Sequence, residues 1–173
     1  MDENSPSNEL ARVMSHPVTT PTGTLAMFLV HPAVPRRTYT QRLRELISAA
    51  VEIAQTTDFD QDEVVTLDPL PTWFRETPDV PSIEGSRNYV AAGLGDPWEP
   101  EEWIYCFDPD LRAWTWWDVT ERSDGVAVWV DTLGEPHVPH GELLWALYIT
   151  GAEQVDPLRM EAASSWCDAT RLR

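Results

Sequence analysis

Residues 103–131 constrain the fold more than any other stretch. Three runs rich in β-branched and aromatic residues follow one another there, at 103–107, 113–119 and 125–131. The first gap is Asp108-Pro109-Asp110, a turn with proline at its second position. The second ends in Asp124-Gly125, a hairpin signal. Three strands at this spacing predict an antiparallel meander. The stretch also holds five of the nine tryptophans. Alternation along 113–119 places Trp114 and Trp116 on one face and Trp117 on the other. If helices cover only one face, the other presents a large aromatic surface.

The helical signals flank this sheet. Tyr39, Leu43, Leu46, Ile47, Ala50 and Ala54 share one face of a 3.6-residue period, predicting a helix over 38–56. Thr38 and Gln41 have capping-box spacing. Leu144, Leu147 and Tyr148, followed by Gly151, predict a helix over 141–150. Asp156-Pro157 has the form of a helix start and predicts another over 157–166. The apolar run 25–30 is expected as a buried strand, and 64–67 and 88–94 as short strands, with 75–87 as loop. Residues 1–24, polar and proline-containing, are expected as a flexible arm ahead of one domain over 25–173. The fold class expected is α+β: one antiparallel sheet with the helices packed on one face.

Charge sets the choice of partner. All 12 basic residues are arginine, against 29 carboxylates, for a net charge of -17. Such a chain is not expected to bind nucleic acid directly or to adhere to anionic membranes. The N-terminus lacks a basic start and an apolar core, and no run approaches membrane-spanning length, so a cytoplasmic location is expected. Arginine in place of lysine, with abundant Ala, Pro and Trp, suggests a GC-rich bacterial genome. The acid concentrates in the middle of the chain. The only basic stretch, Arg36 to Arg44, opens the first predicted helix, where it opposes the helix dipole and calls for acidic neighbours.

Catalytic and metal motifs are weak. The segment from Asp58 to Glu63 resembles the start of a calcium loop, but Glu63 and Pro69 occupy the positions that need Gly and Glu. His137 and His140, with Glu135 and Glu142, contain the ligand types of a zinc or iron site, yet prolines interrupt them. Cys106 and Cys167 lie in acidic surroundings that disfavour a thiolate. No cofactor is expected.

An acidic surface around aromatic anchors suits a basic protein partner. The leading expectation is therefore a non-enzymatic protein-binding domain, an immunity or inhibitor protein for a basic toxin or nuclease. Its expected contacts are Asp58, Asp60, Asp62, Glu63, Trp98, Glu99, Glu101, Glu102, Trp103, Trp116 and Trp117. Size, charge and the lack of catalytic motifs are all it shares with such proteins. One alternative is a metal-dependent enzyme on the histidine cluster, or a small-ligand (carbohydrate) binder using exposed tryptophans. Another is a regulatory or scaffold subunit that docks Arg36 to Arg44 on an acidic partner or on a second copy.

Overall fold

A nine-residue strand, β1 (Thr24–Pro32), is the spine of the molecule. The computed structural model describes residues 6–61 and 64–171. Ahead of β1 lies helix α1 (Pro6–Met14), and after it α2 (Arg36–Thr56), α3 (Thr72–Arg75), α4 (Val80–Ala91) and α5 (Pro100–Tyr105). The hairpin β2 (Thr115–Arg122) and β3 (Gly125–Asp131) comes next. It is followed by α6 (Gly141–Ile149), β4 (Ala152–Val155), β5 (Arg159–Ala162) and α7 (Ala163–Arg171). The sheet is antiparallel in the order β2-β3-β1-β4, with β5 also paired to β1. This is the α+β architecture expected. Among the described residues no helix is long and apolar enough to cross a membrane.

The apolar run 25–30 alternates between two cores. Ala26, Phe28 and Val30 join the main core with residues of α2, α5 and α6. Leu25, Met27 and Leu29 point the other way, onto Trp117, Trp129 and Trp166. Because α7 carries Trp166, the second face of the sheet is also covered. Helices therefore pack on both faces rather than one.

Several segments depart from the sequence expectation for identifiable reasons. Residues 103–107 belong to α5 and the turn after it, not to a strand. Pro100 stands in the first turn with Glu101 and Glu102, which the dipole favours there. Trp103, Ile104 and Phe107 are all buried, a helical spacing that alternation could not bury together. The meander thus shrinks to the β2–β3 hairpin, and β1 supplies the third strand. Within 157–166, β5 comes first and α7 only starts at Ala163. The cause is β1, whose second edge needs partners along its whole length: β5 satisfies Thr24 to Met27 and β4 satisfies Val30 to Pro32.

Asp79 caps α4 by accepting from the Ser82 amide, so 80–91 is helix where a loop and a strand were expected. Residues 64–67 form no strand. Thr38 lies inside α2, whose N-cap is Pro35, so the capping box is unused.

The expected arm over 1–24 contains α1, held by buried polar contacts. Glu9 accepts from the Trp116 amide at 2.6 Å and from Arg112 at 2.6 Å. Arg12 Nε donates to the Trp116 carbonyl at 2.9 Å. Helix α1 therefore lies along the outer edge of β2, pairing its backbone through side chains. Alternation sends Trp116 and Trp117 into opposite cores, and the register with β3 shifts by one residue between Trp116 and Asp118.

Candidate functional site

The nine tryptophans divide unevenly. Trp103, Trp114, Trp116, Trp117, Trp129, Trp145 and Trp166 are buried; only Trp73 and Trp98 keep partial exposure. This corrects the expectation that Trp103, Trp116 and Trp117 belong to an exposed binding patch. Both faces of the sheet are covered, so alternation sends the strand rings Trp116, Trp117 and Trp129 into one core or the other, while Trp103, Trp145 and Trp166 are buried from helices. It also leaves a sugar-stacking surface few rings to use.

Burying indoles takes up acceptors. Trp103 Nε1 donates to the Glu142 carbonyl at 2.9 Å, and Trp114 Nε1 to the Glu142 carboxylate at 2.6 Å. Trp166 Nε1 donates to Asp118 at 3.0 Å. Part of the acidity thus serves the interior. Asp118 is fully buried and also receives Arg44 at 2.8 Å, with His16 Nδ1 at 2.9 Å. It ties α2, β2, α7 and the end of α1 together. Sequence reasoning did not find this joint, because the partners of Asp118 lie as far as 102 residues from it along the chain.

Arg42 reaches Asp79 at 2.7 Å and sits 4.0 Å over the Trp73 ring. Burial pulls the Asp79 carboxyl upward. Hydrogen bonds from Arg42 and Ser82, with the Arg42 charge, outweigh it and hold the group below the usual carboxylate range. The acidic neighbours that the basic stretch required are therefore Asp79 and Asp118, and Arg42 and Arg44 are engaged within the chain.

The histidine cluster does not assemble. Glu142 is buried against Trp114, His140 Nδ1 donates to the Val138 carbonyl at 2.7 Å and its ring packs on Phe28, and Glu135 and His137 are exposed. Among the described residues no three or more His, Cys, Asp or Glu side chains are arranged to hold a metal ion. Burial, and then the Glu142 charge, push the Cys106 thiol up, away from nucleophilic use.

Two of the expected acidic contacts, Asp60 and Glu101, come together. Phe59 packs edge-on against Tyr105 at 5.7 Å, which anchors the segment after α2 onto α5. Asp60 and Glu101 thereby line the same cavity of about 420 Å³, with Val65, Ile104 and Tyr105 as its apolar part. Asp58 shapes the turn by accepting from the Asp60 amide and the Gln61 side chain. Glu99 and Glu102 are exposed on the same short helical segment. Among the described residues, none of Asp58, Asp60, Glu99, Glu101 and Glu102 has an ion-pair partner. Asp62 and Glu63, also expected here, lie outside the described residues.

A second cleft, of about 400 Å³, adjoins this face through Glu99 and Pro100 and is lined by Trp73, Trp98, Ile83 and Arg87 among others. Trp98 is fixed by donating to the Tyr89 hydroxyl at 3.1 Å.

Comparison of the chain with protein-family models, curated proteins and solved structures finds no match to any of them.

Proposed function

We propose that the chain is a non-enzymatic acidic binding domain whose partner is a basic protein. Its contact face is the acidic cavity between α5 and the segment after α2. The observation that carries this reading is a division among the carboxylates. Glu9, Asp79, Asp118 and Glu142 are committed to internal partners. Asp60 and Glu101 line this cavity, Asp58, Glu99 and Glu102 lie on the same two segments, and none of the five faces a cation among the described residues.

Like charges held together at a surface repel, and a basic partner relieves that repulsion. Each exposed pair contributes only about 0–1 kcal/mol. The summed field acts mainly on encounter, raising association rates by roughly 10- to 1,000-fold at low salt. The apolar wall of the cavity and the exposed Tyr105 ring supply the short-range part of the contact. Within this class, an immunity or inhibitor role against a basic toxin or nuclease is the reading we favour, because an acidic face can occupy the groove in which such a protein takes its substrate.

The test is a parallel capture from bacterial lysate at low salt, using the wild type and the triple variant Glu99→Arg, Glu101→Arg, Glu102→Arg as baits. The expected result is a basic protein retained by the wild type, released over a narrow salt step and lost from the variant. Equal retention by both baits, or release that ignores salt, would overturn the reading.

A further inference from the structure

The outward side of α4 is apolar. Val80, Ile83 and Val90 are 71%, 41% and 47% exposed. With Arg87 and Ala91 they occupy an arc of about 100° at 3.6 residues per turn, and exposed Leu94 follows just beyond the helix. The inward side, Ser82, Gly85 and Tyr89, is buried. Helix α4 thus has two apolar sides, one of them without a partner among the described residues. The row does not stand alone, because Ile83 and Arg87 also line the cleft that holds Trp73 and Trp98. Scattered surface apolar residues are ordinary; a row continuous with the two half-buried tryptophans has the character of an interface.

Charge indicates the occupant. The chain carries -17, yet α4 has one acidic and one basic residue, Glu84 and Arg87. A basic partner gains nothing on this neutral face over the acidic cavity. A second copy of the chain does gain, because the face is complementary to itself. Glu84 and Arg87 are both exposed and pair loosely within the helix at 3.9 Å. Crossing α4 antiparallel on its own copy, about a two-fold axis midway between positions 84 and 87, also sets each Glu84 opposite Arg87 of the other copy. The same operation lays Val80 and Ile83 along the far end of the facing stripe. Two-fold contacts between identical chains require this self-matching.

We propose that two copies of the chain associate through the outer face of α4 and the adjoining rim of the tryptophan cleft. The helix is about 18 Å long at 1.5 Å per residue. A stable interface takes about 800 Å² from each partner. One helix face falls short of that area, so the dimer is weak, with dissociation in the micromolar range. The two net charges repel each other and salt screens them. Dimerisation therefore strengthens as salt rises, opposite in sign to the basic-partner contact proposed above. The two proposals can fail separately.

Sedimentation velocity on the full chain, over a wide concentration range at low and high salt, tests this. The expected result is a mass that climbs towards twice that of the chain, at lower concentration in high salt. Ile83→Asp and Val90→Asp, both at exposed positions, should remain monomeric with unchanged near-ultraviolet circular dichroism. Glu84→Arg and Arg87→Glu should each weaken the dimer, and the double exchange should restore it. A monomer at every concentration and salt overturns the proposal. So does a dimer that persists in both aspartate variants, or one that dissociates as salt rises.

Discussion

Replacing Gly85 by alanine should destabilise the protein, although alanine is the better helix former. Gly85 is where α4 crosses α6. A Cβ there would fall deep inside the Tyr148 carbonyl oxygen, 2.7 Å from the Tyr148 carbonyl carbon and 3.3 Å from Ile149 Cα. All three are backbone atoms, so no side chain can swing aside. The helices must separate by on the order of 1 Å, which forfeits a quarter to a half of each contact's attraction across the crossing. The contacts at stake include Tyr89 edge-on to Trp145, centroids 5.0 Å apart, and to Tyr148 at 5.8 Å. Each such ring pair is worth about 0.5–1.5 kcal/mol beyond its buried area, and overpacking costs about 1–3 kcal/mol. Against this, alanine in place of glycine returns about 1 kcal/mol of helix propensity. The expected net loss is about 1–3 kcal/mol, a large share of the roughly 5–15 kcal/mol that holds a domain together. Urea unfolding followed by tryptophan fluorescence reads it as a midpoint lowered by about 1 M, for a slope near 2 kcal/mol/M. Ser86→Ala, one position along, is the control and should stay within about 0.5 kcal/mol. A Gly85→Ala midpoint at or above the wild-type value would refute the backbone contact between α4 and α6.

Two further predictions concern the internal carboxylates. Asp118→Asn removes the charge facing Arg44 and one acceptor shared by His16 and Trp166, and should cost about 2–4 kcal/mol in the same urea assay; a loss within error of zero would show that Asp118 is not the joint between α2, β2 and α7. Asp79→Asn keeps the N-cap of α4 but drops the ion pair with Arg42, so it isolates the charge. Because the folded carboxyl lies below its ordinary value, its contribution is fully present above the unfolded value of about 3.9 and fades as pH falls through the folded one. The wild type should therefore exceed the variant by no more than about 1 kcal/mol at neutral pH, given the exposure of Asp79, and the gap should close below about pH 4; a gap that widens in acid would reverse the assigned sign.

The legibility of the chain follows from where its signals lie. Strand β1 and helix α2 were readable because their apolar spacing depends on local periodicity alone. Helix α4 was not, because Val80, Ile83 and Val90 face out while Tyr89 faces in, so no polar side marks the period. Helix α5 was misread because a five-residue apolar run fits a strand or a buried helical turn equally well. Helix α1 was invisible for a different reason. It is buried through Glu9 and Arg12, charged residues whose partners, Arg112 and Trp116, lie more than 100 residues away. At the candidate site, the acidic residues after α2 and those of α5 each stood out in the sequence. Their approach did not, since it depends on the ring contact between Phe59 and Tyr105.

The way α1 meets β2 also bears on how the chain reaches its folded state. An edge strand with bare amides and carbonyls invites another strand to add to it, and a growing chain meets many candidates. Here the cover for that edge is made first. Helix α1 leaves the ribosome about a hundred residues before β2, carrying in Glu9 and Arg12 one acceptor and one donor matched to the outward groups of Trp116. When β2 emerges, the element that closes it is already on hand in the same molecule, at an effective concentration no stray strand can match. Had the order been reversed, with the covering helix at the far end, the hairpin would have waited with its edge open for the rest of synthesis.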